Sequence, residues 1–216
     1  MQYIAGPAQP ASGDYGRGRR SRKGQSHRLP LHRTLRAIGF DDGPFARRSG
    51  SRVPLVGAVC AGTRFEGMVF GHVRRDGWNA TEAIGNILHE WKFLPQLHLV
   101  LLDGIAFGGF NVVDLSALSR ALRLPCVAVM RRRPDLEAVK RAMARLPRAH
   151  ARWSLLQRAG PIHELGGFVF QVQGAEPEDV ARALGKLTDR GKVPEPLRLA
   201  HLIGAAISRG ESGNRA

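Results

Sequence analysis

Three aspartates stand where an α/β protein gathers its chemistry. Asp41 and Asp42 follow the short apolar segment 35–40 in GFDDGPF, and Asp103 follows the apolar run 97–102 in LLDGIAFGGFN. In an open α/β sheet, ligands collect beyond the carboxyl ends of the strands. If the two segments are parallel neighbours, Asp41 and Asp103 face each other across the sheet end. Two carboxylates so placed repel unless a proton or a cation lies between them. Oxygen donors of this kind suit Mg²⁺, with Mn²⁺ as the alternative. A metal held there polarises a phosphodiester, activates water and stabilises the leaving oxygen. The competing reading is local, because Asp-Gly is a common turn pair and aspartate also starts helices. Asp42 reads as a turn residue or as a supporting ligand. Glu66, in TRFEGM at the start of a strand, reads either as a third metal ligand or as a solvent-facing edge residue. Asp114 is its rival, but a helix-capping role accounts for it.

Other residue groups extend the site. The loop GIAFGGFN, residues 104–111, carries Gly108-Gly109, which permits positive φ or close backbone approach. Its amides are candidates for an anion nest. Phe107 and Phe110 read as base-stacking rings or as core. Arg131, Arg132 and Arg133 follow the apolar run 126–130 and would emerge at the same sheet edge as the acids if that strand is also parallel. They are candidate phosphate contacts, against the alternative of a solvated basic face. Arg198 and His201 share a helix face and are candidates to meet substrate, or simply solvent. No Walker A motif, dinucleotide fingerprint, zinc spacing or Gly-x-Ser-x-Gly elbow is present.

The elements that must hold these residues alternate along the chain. Strands are expected at 35–40, 54–61 and 64–73, the last two joined as a hairpin at Gly62-Thr63, and then at 97–102, 126–130 and 168–172. Helices are expected at 80–91 with Asn79 as cap and Glu82 completing a capping box, after Asp114, after Pro134, at 148–158, at 178–187 and from Pro196 to about 208. An antiparallel start followed by strand–helix alternation argues a mixed three-layer α/β domain, to which a ribonuclease H-like sheet flanked by helices is one fit.

The 216 residues carry 33 Lys plus Arg against 18 Asp plus Glu, a formal net charge of +15. Such a balance points to nucleic acid or another polyanion more readily than to a neutral metabolite. Eight basic residues and one acid lie between Met1 and Arg36, so residues 1–33 read as a basic tail that does not order itself, either a nucleic-acid-binding arm or a dispensable extension. The folded domain is expected over 34–212, with 213–216 as a flexible end. Cys60 and Cys126 both lie in apolar runs, which makes a reducing, cytoplasmic home the default. No apolar stretch is long enough for a transmembrane span, and no obligate protein partner is evident.

FDDGPF, LVGAVCAGTRFEGM, GWNATEAI, LLDGIAFGGFNVVD, RRRPDLEAVK and GKVPEPLRLAHLI resemble the prokaryotic family once called domain of unknown function ninety-nine, also known as endonuclease dU for its similarity to endonuclease V. The resemblance covers residues 35–212. It implies a ribonuclease H-like fold and a Mg²⁺-dependent endonuclease acting on DNA more readily than RNA, at deaminated bases; the family name points to deoxyuridine. Asp41 matches the first-strand aspartate, Asp103-Gly104 the later Asp-Gly, and Pro194, Glu195, Pro196, Arg198 and Ala200 the Pro-Glu-Pro-x-Arg-x-Ala helix entrance. There is no counterpart of the Pro-Tyr-Ile-Pro wedge. The middle metal carboxylate is missing from its usual context, with Glu66 the nearest substitute. The assisting lysine and histidine have no clear match, although Arg131 or Arg132 is a candidate for nearby space. The implied set is Asp41, Asp103 and Glu66 or Asp42 for the metal, with Arg131 to Arg133 on phosphates. The alternative is a noncatalytic nucleic-acid-binding protein on a degenerate nuclease fold.

Overall fold

A computed structural model describes residues 26–46, 48 and 50–212. The first three strands, β1 (Arg36–Asp42), β2 (Arg52–Ala61) and β3 (Arg64–Arg74), form an antiparallel meander. The chain then alternates: α1 (Ala80–His89), β4 (Leu99–Asp103), a two-strand ribbon β5 (Ala106–Phe107) and β6 (Asn111–Val112), α2 (Leu115–Leu122), β7 (Cys126–Met130), α3 (Leu136–Met143) and α4 (Ala149–Arg158). It ends with β8 (His163–Leu165), β9 (Phe168–Gln173), α5 (Pro177–Lys186) and α6 (Glu195–Arg209). The main sheet has the order β3-β2-β1-β4-β7-β9-β8, with β1, β4 and β7 parallel and the other pairs antiparallel.

The central strands are apolar on both faces because helices cover both sides of a parallel sheet. In β4, Val100 and Leu102 join Ile38, Phe40, Ile84 and Leu118 in one core, while Leu99 and Leu101 join Val127, Phe170, Leu184 and Leu197 in the other. Each such fully buried large side chain contributes about 1.5–3 kcal/mol. The packed body reaches further toward the N-terminus than the expected start at 34, since Leu29 lies in the second core and the His27 amide donates to the Gly174 carbonyl at 2.7 Å. The expected tail up to residue 25 and the end 213–216 lie outside the described residues.

Local signals set the helix ends, with one exchange. Asp114 caps α2 and Asp135 caps α3 through side-chain acceptance from the amides of Ala117 and Ala138. Asn79 does not cap α1. Its Oδ1 accepts from the Arg74 amide and from Asn111 Nδ2, and Asn111 Oδ1 takes over the cap by accepting from the Ala80 amide at 3.0 Å. The fully buried Asn111 thus ties the ribbon after β4 to the start of α1. Cys60 and Cys126 are both free and buried. Among the described residues no helix is long and apolar enough to cross a membrane.

Candidate metal centre

Register brings the acids together. In the parallel pair β1–β4, Ala37 faces Leu99 and Phe40 faces Leu102, so the next residue on each strand is Asp41 and Asp103. Both sit at the carboxyl end of the sheet on the face covered by α6. Period-2 alternation turns Asp42 to the opposite face. Helix α6 arrives at this spot because β1 offers a glycine beneath it. A Cβ on Gly39 would lie 2.5 Å from the Pro196 carbonyl carbon and 2.7 Å from the Leu197 nitrogen. The bare backbone lets the first turn of α6 rest on the strand, and His201 then lies over Asp41. His201 Nδ1 is 2.7 Å from Asp41 Oδ2, and the Asp42 amide donates to Asp41 Oδ1 at 2.8 Å. One potential ligand atom from each of Asp41, Asp103 and His201 lies within 4.8 Å of the others.

The electrostatics of this cluster are unfavourable without a cation. Burial and then the neighbouring Asp103 charge push Asp41 up to about 7, against the hydrogen bond from His201. Burial also raises Asp103, opposed by Arg131 and His201, and raises Asp42, opposed by the Gly108 amide. Two unit charges at the 4.8 Å limit of the cluster repel by about 3 kcal/mol at an effective dielectric near 20. Arg131 approaches Asp103 at 3.8 Å but is more than half exposed, so it offsets little of this. Two carboxylates plus an imidazole form a donor set that accommodates a divalent cation.

A second wall is held from the other face. Gly108 and Gly109 make the turn of the β5–β6 ribbon at φ +54° and +89°, and the Gly108 amide donates to Asp42 Oδ2. Asp76 fastens this turn: its amide donates to the Gly108 carbonyl at 2.8 Å, and its Oδ1 accepts from the Phe110 amide at 3.0 Å. Beneath both turns lies Arg152, only 1% exposed. Its guanidinium donates to the carbonyls of Asp76 (2.6 Å), Gly77 (2.9 Å), Pro147 (3.2 Å) and Phe110, and stacks 4.5 Å from the Trp78 ring. It anchors the loop that reaches Asp42. Nothing in the sequence separates Arg152 from the basic residues around it.

The remaining candidates disperse. Glu66 is a correction: it lies at the opposite end of the sheet from Asp41. Because β2 reverses and β3 reverses again, β3 starts level with the start of β1, and Glu66 binds Arg36 at 2.6 Å and Arg64 at 2.8 Å. These two arginines hold its carboxyl down at about 2. Of the arginine triplet, Arg131 reaches the acids, Arg133 pairs with Glu164 at 2.8 Å, and Arg132 is exposed. Arg198 does not join His201 at the carboxylates; it folds back onto Glu195, one turn earlier in α6, at 2.7 Å. Gly109 faces Asp76, and Phe107 is core while Phe110 is half-buried. His201 is the site residue that the motifs left without a role.

Comparison with known proteins places the chain in a family and identifies its fold. A family model described as Endonuclease dU matches residues 33–208. The chain is 42% identical over 183 residues to a UPF0215 protein of Methanothermobacter thermautotrophicus, covering 82% of this chain and 90% of that one. It is 41% identical over 184 residues to a UPF0215 protein of Deinococcus radiodurans, covering 85% and 94%. The crystal structure of a protein of unknown function from Archaeoglobus fulgidus superposes with a TM-score of 0.76 at 34% identity, covering 80% of this chain and 98% of that one. The catalytic domain of human Endonuclease V superposes with a TM-score of 0.53 at 15% identity, covering 86% and 89%. At that identity the likeness concerns the fold, which is a ribonuclease H-like mixed sheet flanked by helices.

Proposed function

The chain belongs to the endonuclease dU family, and from that premise we propose that it is a divalent-metal-dependent endonuclease that hydrolyses phosphodiester bonds in DNA at deaminated bases such as deoxyuridine. The observation that carries the reading is the convergence of Asp41, Asp103 and His201 within 4.8 Å at the carboxyl end of a parallel sheet pair. Asp41 and Asp103 would hold Mg²⁺, or Mn²⁺ in its place. When bound, the cation supplies Lewis acidity toward the phosphodiester and toward the attacking water. His201 fixes the Asp41 carboxylate through Nδ1, which leaves its other ring nitrogen available to exchange a proton during hydrolysis. Asp42, clamped by the Gly108 amide, keeps the second wall in place. Arg131 and Arg132, both exposed at this edge, meet backbone phosphates.

The test is cleavage of labelled oligonucleotides carrying deoxyuridine, deoxyinosine or no lesion, with Mg²⁺ or Mn²⁺. The enzymes compared are wild type, Asp103→Asn, His201→Ala and Glu66→Gln. The expected result is metal-dependent cutting that is lost in Asp103→Asn, reduced in His201→Ala and retained in Glu66→Gln. Cutting that survives Asp103→Asn would overturn the site assignment. Tight binding with no cutting by wild type would leave a noncatalytic nucleic-acid-binding protein.

A further inference from the structure

β3 closes one edge of the main sheet, and among the described residues no strand pairs with its free side. The register shows which of its backbone groups point there. The Gly43 amide donates to the Pro54 carbonyl and the Arg75 amide to the Ser51 carbonyl, both at 2.9 Å. Antiparallel strands exchange hydrogen bonds at every second residue pair. Along β2 the even residues therefore bond β1 and the odd residues bond β3, so Val69, Gly71 and Val73 face inward. Met68, Phe70 and His72 hold their amides and carbonyls out to the open edge. Their side chains stand on the face covered by α6, since Met68 and Phe70 are the register partners of Ala58 and Val56, which pack with Ala200. Met68 is 47% exposed, Phe70 43%, and Phe65 at the start of the strand 47%. An open strand edge is a template for another strand, and proteins blunt it with charge, proline or shortness. Residues 67–73, GMVFGHV, contain no charged residue and no proline. Burial and the Arg52 charge keep His72 below its usual value and hence neutral. The bulge opposite Val59 and Cys60 lies at the start of this stretch and leaves the rest of it regular.

We propose that this edge is the interface for a second copy of the chain, joined β3 to β3 in antiparallel fashion about a twofold axis at Phe70. A twofold interface needs a patch that is complementary to itself. Centred on Phe70, the outward amides and carbonyls of Met68 meet those of His72 in the second copy, and Phe70 meets Phe70. The exposed apolar side chains of the two copies then cover one another on the α6 face. Charge favours this centre. The chain carries a formal net charge of +15, and residues 67–73 are a neutral window in it. Arg74 stands four residues from Phe70, so the two copies of Arg74 lie about 27 Å apart at 3.4 Å per residue, well beyond the screening length of about 8 Å at physiological salt. The opposite edge of the sheet offers no equivalent, because β8 has only three residues. A β3-to-β8 chain of copies is therefore disfavoured against the closed pair. In the pair the two sheets become continuous and their carboxyl ends point opposite ways, so neither metal centre borrows a residue from the other copy. The inference is independent of the nuclease reading.

The experiment is sedimentation velocity of the full chain from about 1 to 100 µM, a range that brackets a micromolar association. Wild type is expected to move from the mass of one chain toward that of two. Met68→Pro removes an amide that points to the open edge and none that bonds β2, a place where an edge strand tolerates proline; it is expected to weaken association by at least about tenfold. Phe70→Lys and Phe70→Glu each put like charges on the axis and are expected to remain single chains. An equimolar mixture of the two is expected to pair again, because opposite charges then face each other across the strands. That rescue requires residue 70 to meet residue 70. Leu136→Lys, at a position 44% exposed on α3, is the control and associates as wild type does. Wild type that stays a single chain throughout, or a dimer untouched by Met68→Pro and Phe70→Lys, would overturn the proposal. A mixture of the two charge variants that fails to pair would remove the axis from Phe70 and overturn it as well.

Discussion

Replacing Asp41 with asparagine is expected to stabilise the metal-free protein at alkaline pH. In the folded chain burial and the Asp103 charge push Asp41 from 3.8 to about 7. Between those values the folded state keeps a proton that the unfolded state has released. Stability therefore falls as pH rises through this window and levels off above the folded value. One pKa unit corresponds to about 1.36 kcal/mol, so the loss reaches at most about 4 kcal/mol. Asparagine carries no charge to desolvate and removes one partner of the Asp103 repulsion. Urea unfolding in chelator at about pH 5 and pH 8 isolates the effect through the difference between variant and wild type. Asp42 and Asp103, raised in the same direction, add their own decline in both proteins. His72 and His98, lowered by burial, act oppositely in both and cost stability as they charge at acid pH. Asp41→Asn is expected to match wild type more closely at the acid pH and to exceed it by up to about 4 kcal/mol at the alkaline one. Mg²⁺ then narrows the gap, since a cation at a hundred times its Kd adds about 2.7 kcal/mol to wild type alone. A variant-minus-wild-type difference that is the same at both pH values would refute the argument.

Two further outcomes follow from the second wall and the basic edge. Arg152→Met is expected to cost at least about 3 kcal/mol in denaturant unfolding, because it strands buried carbonyls that a charged donor satisfied; Arg152→Lys recovers only part of this, since one ammonium does not span four acceptors, and a cost within about 0.5 kcal/mol for the methionine variant, the size of an ordinary surface change, would refute the anchoring role. Arg131→Ala and Arg132→Ala are each expected to reduce the slope of log affinity for DNA against log salt by about one, measured by anisotropy across a salt series, and an unchanged slope would remove that arginine from the phosphate contacts.

The parts of the site legible in the sequence are those set by local rules. Asp41 and Asp103 are found because an apolar run ending in an acid marks a strand end, and parallel register then makes them neighbours. Asp114 is found because a cap bonds three residues ahead. Glu66 is misplaced when its type is weighed without its direction: the Gly62-Thr63 hairpin already puts the start of β3 level with the start of β1, away from Asp41. The Asn79 cap fails because Asn111, 31 residues from Ala80, competes for the same amide. β8 is too short and too polar to show a period.

His201 is not legible from local pattern, because what places it is an absence of side chain 162 positions earlier. It stands over Asp41 only if α6 rests directly on β1, and α6 does so only because residue 39 has no Cβ. Gly39→Ala tests that dependence. The added methyl would meet Pro196 and Leu197 backbone atoms at 2.5 and 2.7 Å, and backbone has no rotamer to move aside, so the helix itself must shift. Overpacking of this kind costs about 1–3 kcal/mol. A shift of α6 also lengthens the 2.7 Å contact between His201 and Asp41. Gly67→Ala is the matched control, since a Cβ there meets nothing within 4 Å. The expected outcome is that Gly39→Ala loses stability in denaturant and Mn²⁺ affinity in calorimetry together, while Gly67→Ala changes neither. If Gly39→Ala keeps full metal affinity while losing stability, the docking of α6 supports the fold alone and His201 has no part in holding the cation.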